Sequence, residues 1–338
     1  MKPMVCKITD LTEKIGWYIS HPVIDFESGR LLVGLNTQIT LKLIEVLHRR
    51  GVDALEVSPN PIEIGEVYKE DTIRANERIA RESKRHISKT LTEITKNVRK
   101  ARKVNDIRKA MTNSMLAQVE DTVAKVIELI SHNPTPMLYL GIIDRTDPYL
   151  IHHEANVAYL SLCLAQRSKD VREMIKHPDK GLPRFTAPKQ LCNIDDLVPL
   201  GMSAMLHDIG KVFMIDTLTK NKKYNKDNIK EWELIKQHPK MGHDILFGKN
   251  IDSHALLGIK YHHENYDGSG YPYGISGNKI HLYARIIRVA DSFDAATSLR
   301  PGRGFPKTPK DICIEMLKQK YYDPIICANF VKLILNKS

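Results

Sequence analysis

Two short stretches of the chain place side chains that bind metals next to one another. His207 and Asp208 are adjacent in the first stretch, and His262 and His263 are adjacent in the second. Each pair follows an apolar run that would bury its backbone, and buried polar groups are unfavourable unless something pairs with them. Neutral imidazole together with carboxylate is a donor set for a divalent transition metal. The two stretches therefore predict a metal centre.

Three further residues extend this set. A lone histidine on an apolar helix is more often a core residue, and a lone aspartate can be a cap or an ion-pair partner. The prediction therefore depends on the whole set, whose members recur beside apolar segments at helical spacing. The predicted metal ligands are His153, His207, Asp208, His238, His262, His263 and Asp291.

The composition of this set indicates which metals it would hold. Histidine and aspartate suit Fe, Mn, Zn or Ni, and the absence of cysteine argues against a structural zinc site. Seven ligands exceed what one ion takes from protein while leaving an open position, and Asp208 could bridge two ions. Two ions roughly 3.5–4 Å apart form the common clamp for phosphoester cleavage.

Cationic and aromatic residues near these ligands could contact a phosphate. Lys211 lies one helical turn beyond His207, although it could instead be a surface lysine at a helix end. The turn sequence at residues 267–270 would present Tyr271 outward. Arg300 and Arg303 follow Asp291 in a Pro/Gly-rich loop and suit fork-like phosphate recognition. Without a metal centre, both arginines would be ordinary surface charges.

The rest of the chain predicts three segments. Residues 1–65 are a small mixed α/β domain, with strands near residues 17–19, 30–33 and 54–57 and a helix ending before Gly51. Residues 66–131 lack glycine and proline and form a helical linker. Residues 132–338 form the helical catalytic domain, with an inserted loop at about 167–196.

The linker carries a partial heptad seam that supports two interpretations. It could be a homodimer interface, or a long helix packed on its own chain. Its basic cluster at residues 99–103 is interpreted as a solvated helix face, because no aromatic residues are interleaved for stacking on bases, so nucleic acid is not expected as a partner. The seam consists of Ile73, Ala80, Ile87, Leu91, Ile94 and Val98.

Length and composition indicate the number of domains, the charge of the binding partners and the cellular compartment. The 338 residues suggest two domains, and the net charge of +11 favours anionic partners. Five scattered cysteines, none in a Cys-x-x-Cys pair, predict a reducing, cytoplasmic compartment. The first 16 residues lack the apolar region of a signal peptide, and the sequence contains no apolar stretch of membrane-spanning length.

Four motifs together resemble the HD-GYP family, a branch of the metal-dependent HD phosphohydrolases. They are His207-Asp208-Ile209-Gly210-Lys211, His238-Pro239-x-x-Gly242, His262-His263-Glu264-x-x-Asp267-Gly268-Ser269-Gly270-Tyr271-Pro272 and Asp291-x-Phe293-Asp294-Ala295-x-Thr297-Ser298. The resemblance covers roughly residues 140–310. It implies a mainly α protein, in which a small α+β domain and a helical linker precede an all-helical HD-type domain. It also implies hydrolysis of cyclic di-GMP to linear pGpG, and often to GMP.

The resemblance also implies roles for single residues. All seven predicted ligands fall on the family's metal positions, and two ions, iron or manganese, are expected. Asp208 and Lys211 are the expected catalytic residues. Tyr149 stands where some members have a third-metal glutamate, which favours two ions, although Asp147 or His152 could serve a third. The expected substrate contacts are Lys211, Tyr271, Arg300, Arg303 and Asp147.

Two other interpretations remain open. The chain could be a sensor that binds a cyclic dinucleotide without cleaving it and signals through residues 66–131. It could also hydrolyse a related substrate such as 3′,3′-cyclic GMP-AMP, because the sequence shows no base-reading pattern. Glu154 stands where the family usually has serine, so contacts around His153 are expected to differ.

Overall fold

A computed structural model of the protein contains a small α+β part followed by a larger helical part. This arrangement confirms the fold class predicted from the sequence. The domain boundaries near residues 65 and 131 stay predictions. The structure describes residues 4–20, 23–24, 31–33, 36–49, 52, 54–61, 70–98, 104–131, 149–176, 197–213, 229–298, 307 and 309–335.

The N-terminal part is built on a three-stranded antiparallel sheet in which β5 lies between β1 and β2. A separate ribbon pairs β3 with β4. Helix α1 buries Ile44 and Leu47 in a core of its own with Leu11, Ile19 and Val57. The elements are β1 Met4–Lys7, a 3-10 helix Ile8–Lys14, β2 Tyr18–Ile19, β3 Val23–Ile24, β4 Leu31–Val33, α1 Leu41–Arg49 and β5 Ala54–Ser58.

The remainder of the described chain is helical. Two short 3-10 turns, Ile209–Phe213 and Gly277–Lys279, lie between its helices. The helices are α2 Glu70–Val98, α3 Val104–Ala110, α4 Asn113–Ser131, α5 Tyr149–Arg167, α6 Lys169–Lys176, α7 Val198–Leu206, α8 Ile229–Ile235, α9 His238–Leu246, α10 Ser253–Tyr261, α11 Leu282–Thr297, α12 Pro309–Lys318 and α13 Pro324–Leu335.

Helix α5 is the central element of the larger core. It packs against α2, α7 and α11, and its residues Val157, Leu160 and Leu164 are buried. A helix with apolar residues on several faces must be covered on several sides, which explains its central position. Among the residues that the structure describes, no helix is both long and apolar enough to cross a lipid bilayer.

The described part of the predicted heptad seam is buried within the chain, and the side chain of Ile73 lies outside the described residues. Ile87, Leu91 and Ile94 of α2 are buried in the same core as α4 and α5. Lys84, which interrupts the seam, extends over the ring of Tyr159 at 6.0 Å, and burial lowers the pKa of its ammonium to about 8. These buried seam residues match the interpretation of a helix packed on its own chain. A homodimer through residues 66–131 stays a prediction, and other faces would have to form it.

The crossing of α10 and α7 requires a residue without a side chain. A Cβ atom on Gly258 would lie 2.1 Å from the Oγ atom of Ser203, which is far inside contact distance. Glycine thus lets the two helices approach closely. Since α7 ends just before His207 and α10 just before His262, this crossing brings two predicted ligands together.

Helix α11, which carries Asp291, begins at an unusual cap. The Nδ1 atom of His281 accepts a hydrogen bond from the backbone N–H of Tyr283 at 3.2 Å, and Nε2 lies 2.9 Å from Nδ1 of His254. Burial, with the nearby His254 and Arg285, lowers the pKa of His281 to about 3. His281 therefore stays neutral in the folded chain under conditions that protonate it in the unfolded chain.

We expect His281→Asn to weaken the pH dependence of stability, because asparagine can still cap α11 but does not titrate. The folded-state pKa lies below the unfolded value, so His281 favours folding above about pH 6.5 and that contribution is lost as the pH falls. Between pH 7 and pH 5, the metal-free parent should lose about 2 kcal/mol more unfolding free energy than the variant. Urea unfolding in chelator measures both proteins. Equal losses would contradict the assignment.

Candidate metal centre

The seven predicted ligands lie together at one end of the helical core. Most of them sit at or beside helix ends: His207 caps α7, His238 begins α9 and His262 caps α10. His153 and Asp291 instead project from within α5 and α11. Packing of these helices therefore places donors from distant parts of the chain in one buried cluster.

Three of the histidines are oriented by the same backbone contact. The Nδ1 atoms of His207, His238 and His262 lie 2.8, 2.6 and 2.7 Å from the carbonyl oxygen three residues earlier. Such carbonyls at helix ends lack a partner within the helix, so each accepts the Nδ1–H proton. The Nε2 atom of each neutral ring then carries a lone pair, and the ring is fixed in the orientation that metal-binding histidines adopt.

These lone pairs point at one another and at a carboxylate. The Nε2 atom of His238 lies 3.1 Å from Nε2 of His262 and 3.0 Å from Oδ1 of Asp208. With both rings protonated at Nδ1, neither contact has a hydrogen to share. Among the described residues, the buried Nε2 of His207 and Oδ1 of Asp208 also have no hydrogen-bond partner. A divalent cation fits this arrangement, because it would pair with all four acceptor atoms.

His153 is held by two carboxylates instead of a backbone carbonyl. Its Nδ1 atom lies 2.7 Å from Oδ2 of Asp294, and its Nε2 atom lies 3.0 Å from Oδ1 of Asp291. Burial lowers the pKa of His153, but the bonds to Asp291 and Asp294 outweigh burial and raise it to about 9. Without metal, the ring is therefore protonated, and metal binding would release this proton.

His207, His238 and Asp208 are in the charge states that a divalent metal requires. Burial lowers the pKa of His207 to about 3 and that of His238 to about 4, so both rings are neutral at pH 7. Burial alone would raise the pKa of Asp208, but Lys211 and the neighbouring histidines hold it well below its usual range. The cluster thus combines neutral imidazoles with an ionised carboxylate.

Asp208 belongs to two groups of donor atoms. One ligand atom from each of Asp208, His238, His262 and His263 lies within 4.8 Å of the others, and the same holds for His153, His207 and Asp208. A carboxylate shared by both groups is what the prediction of a bridging aspartate requires. The number of ions stays a prediction.

The turn that carries Lys211 packs tightly against α9. Lys211 forms an ion pair with Asp208, and a quarter of its side chain is exposed. A Cβ atom on the preceding Gly210 would lie 2.1 Å from the carbonyl oxygen of His238. Glycine at this position allows the turn and α9 to touch, which keeps Lys211 and His238 on the same carboxylate.

The buried carboxylate of Glu264 holds the loop after His263 through hydrogen bonds to its backbone. Glu264 accepts hydrogen bonds from the backbone N–H groups of Tyr273 at 2.7 Å and Ile275 at 3.2 Å. The N–H of Tyr271 donates to the carbonyl of His263 at 3.1 Å, and the two rings lie 4.7 Å apart. Tyr271 is therefore fixed beside a predicted ligand, and its contact with substrate stays a prediction.

Several residues that support the cluster were not assigned a role from the sequence. Asp294 orients His153 through Oδ2, and Asn156 donates a hydrogen bond to Oδ1 of Asp294 at 2.6 Å. Asp294 follows Asp291 by three residues, so their shared helix face was a usable signal. Glu154 is also buried, and burial followed by repulsion from Asp208 raises its pKa to about 8.

Some predicted contacts cannot be placed. Asp147, Arg300 and Arg303 lie outside the described residues, as do the side chains of Tyr149 and His152. Arg288 is a cation near the cluster that was not predicted from the sequence. Its Nη1 atom lies 3.8 Å from Oδ2 of Asp291, while Asn265 and Ser292 accept further hydrogen bonds from its guanidinium group.

Comparison with known proteins finds relatives for this part of the chain. Residues 187–326 match the family described as HD domain. A solved structure of Bd1817, an HDGYP protein from Bdellovibrio bacteriovorus, covers 99% of this chain and 100% of its own at a TM-score of 0.52 and 14% identity, which supports the fold alone. The match over residues 187–326 supports the resemblance to metal-dependent HD phosphohydrolases that the sequence motifs indicate.

Curated relatives of this chain are named as phosphodiesterases. The response regulator RpfG of Xanthomonas campestris, a cyclic di-GMP phosphodiesterase, is 46% identical over 30% of this chain and 26% of its own length. Cyclic di-GMP phosphodiesterase PA4108 of Pseudomonas aeruginosa is 28% identical over 64% and 47%. The 3′3′-cGAMP-specific phosphodiesterase 3 of Vibrio cholerae is 30% identical over 58% and 37%. The chain spans less than half the length of each of these relatives.

We expect Asp294→Asn to weaken metal binding, because a neutral amide holds the Nδ1–H of His153 less firmly than a carboxylate. Loss of such an outer partner typically lowers metal affinity about 10- to 100-fold. Competition with a chromophoric chelator for Mn²⁺ measures the change. Ser298→Ala is the matched control, since it removes a 3.0 Å bond to the same carboxylate without touching His153. Equal affinities for the Asp294 variant and the parent would contradict the role assigned to Asp294.

Proposed function

We propose that this chain is a metal-dependent phosphodiesterase that hydrolyses cyclic di-GMP to linear pGpG. The observation that supports this proposal most is the convergence of buried imidazole lone pairs on the carboxylate of Asp208. The names of the relatives supply the substrate class. Further cleavage to GMP belongs to the same proposal.

The predicted ligand set supports a centre of two ions, iron or manganese. Seven His and Asp donors, without cysteine, suit these metals, and Asp208 is common to both groups of donor atoms. A pair of divalent ions would supply Lewis-acid stabilisation of a phosphoester under attack and a nucleophile at neutral pH. His153, His207, His238, His262, His263, Asp208 and Asp291 would hold them.

Other side chains would bind and orient the substrate. The ammonium group of Lys211 pairs with Asp208 and is partly exposed, so it could contact a phosphate oxygen that enters from solvent. The ring of Tyr271 lies next to His263 and would bound the substrate on that side. Arg300, Arg303 and Asp147 remain proposed contacts from the sequence. The net charge of +11 would attract an anionic dinucleotide.

We also propose a cellular compartment and an oligomeric state for this activity. Cys6, Cys163, Cys313 and Cys327 are free and buried, as expected of a chain that works in the reducing cytoplasm. A homodimer through residues 66–131 would couple two catalytic domains.

A second substrate has support from the relatives. Three phosphodiesterases of Vibrio cholerae named as 3′3′-cGAMP-specific are 30%, 34% and 33% identical to the matched parts of this chain. Turnover of both cyclic dinucleotides in one reaction mixture would rank them directly. A higher kcat/KM for the mixed dinucleotide would favour this alternative.

We expect protein that is loaded with iron or manganese under anaerobic conditions to convert cyclic di-GMP to pGpG. The Asp208→Asn variant should have no turnover. The variant removes the ionised carboxylate on which both groups of donors converge. Separation of nucleotides by chromatography measures the product. Asp244→Asn, which changes an exposed carboxylate on α9, should leave turnover unchanged.

Two results would count against this proposal. Tight binding of cyclic di-GMP without turnover under any of Fe, Mn, Ni and Mg would favour a sensor. Retained turnover in Asp208→Asn with unchanged metal content would show that the cluster around Asp208 is not the active site.

A further inference from the structure

Three rings form a continuous aromatic wall beside the metal centre. The ring of His263, a predicted ligand, lies 4.7 Å from the ring of Tyr271. The indole of Trp232 lies 6.1 Å from the same Tyr271 ring, in an edge-to-face arrangement. This aromatic wall, made of His263, Tyr271 and Trp232, therefore runs from the predicted ligands outward to helix α8.

The outer end of this wall is accessible. About 36% of Trp232 is exposed, whereas His263 is mostly buried. Lys236 lies just beyond the end of α8. It holds its ammonium group 5.7 Å from the centre of the indole and also pairs with Glu233 at 2.7 Å. Trp232 thus combines an exposed aromatic surface with a neighbouring positive charge.

A single exposed tryptophan is common on protein surfaces and would mean little elsewhere. Here its position is informative, because Tyr271 connects it to the site where a phosphate would lie. In a nucleotide, the base lies one ribose away from the phosphate. A base attached to a phosphate at the predicted ligands would therefore reach the outer part of the wall.

We propose that Trp232 is a stacking platform for a purine base of the cyclic dinucleotide substrate. This inference rests on the proposed function and adds a residue that binds the base of the substrate. Stacking on an indole needs no hydrogen-bonding pattern, since every base has a π-face. It would hold guanine and adenine similarly, which fits a chain whose relatives include enzymes named for either of two cyclic dinucleotides.

Fluorescence can test this contact directly, because the chain contains two tryptophans and the other, Trp17, lies in the N-terminal part. In Trp17→Phe, the emission comes from Trp232 alone. A phosphorothioate analogue of cyclic di-GMP, which resists hydrolysis, should quench that emission saturably in metal-loaded protein. Ribose 5-phosphate, which has no base, should not.

Kinetics separate stacking from mere support of Tyr271. Trp232→Leu keeps an apolar side chain but removes the ring, and it should raise KM on the order of 10- to 100-fold with kcat little changed. Trp232→Phe keeps a ring and should stay within a few-fold of the parent. If Trp232 only packs against Tyr271, Trp232→Leu should also lower kcat or metal content, and the analogue should bind without quenching the emission of Trp232.

The outcomes distinguish this inference from the proposed function. Saturable quenching together with the KM effect supports it. Binding of the analogue in equilibrium dialysis without quenching, or an unchanged KM in Trp232→Leu, overturns the stacking role and leaves the phosphodiesterase proposal intact. Absence of both binding and turnover in the parent overturns both.

Discussion

The site depends on one electrostatic constraint. Buried imidazoles whose Nδ1–H groups are donated to the backbone must direct their lone pairs inward, and there they meet one another and the carboxylate of Asp208. Acceptors at about 3 Å from one another, shielded from water, repel unless a cation lies among them. The helical core therefore brings together groups that a bound metal ion would stabilise as a set.

The surrounding structure explains how this set is maintained. Carbonyl groups at the ends of α7, α8 and α10 orient three rings, and these carbonyls are available because helix ends leave them without partners. Asp294 performs the same task for His153 with a full negative charge. Glycines at 210 and 258 let the elements approach closely enough for their ends to meet.

The sequence predicted which side chains gather at the site better than it predicted the residues that orient them. The seven donors were recognisable because histidine and aspartate recurred beside apolar helical runs, and the structure brings all seven into one cluster. Asp294 and Asn156 were missed because their task depends on which helix packs opposite. The strand at residues 4–7 was also missed, because four residues carry too little periodicity. The heptad seam of α2 was compatible with a homodimer interface and with packing on its own chain. Periodicity indicates that a helix face is buried but not which element packs against it.

Anomalous X-ray scattering from crystals loaded with manganese tests the central claim most directly. We expect peaks at the manganese edge between the carboxylate of Asp208 and the Nε2 atoms of His238 and His262, with a second peak on the side of His153 and His207. Manganese bound only at surface sites, with no peak near Asp208, would contradict the account.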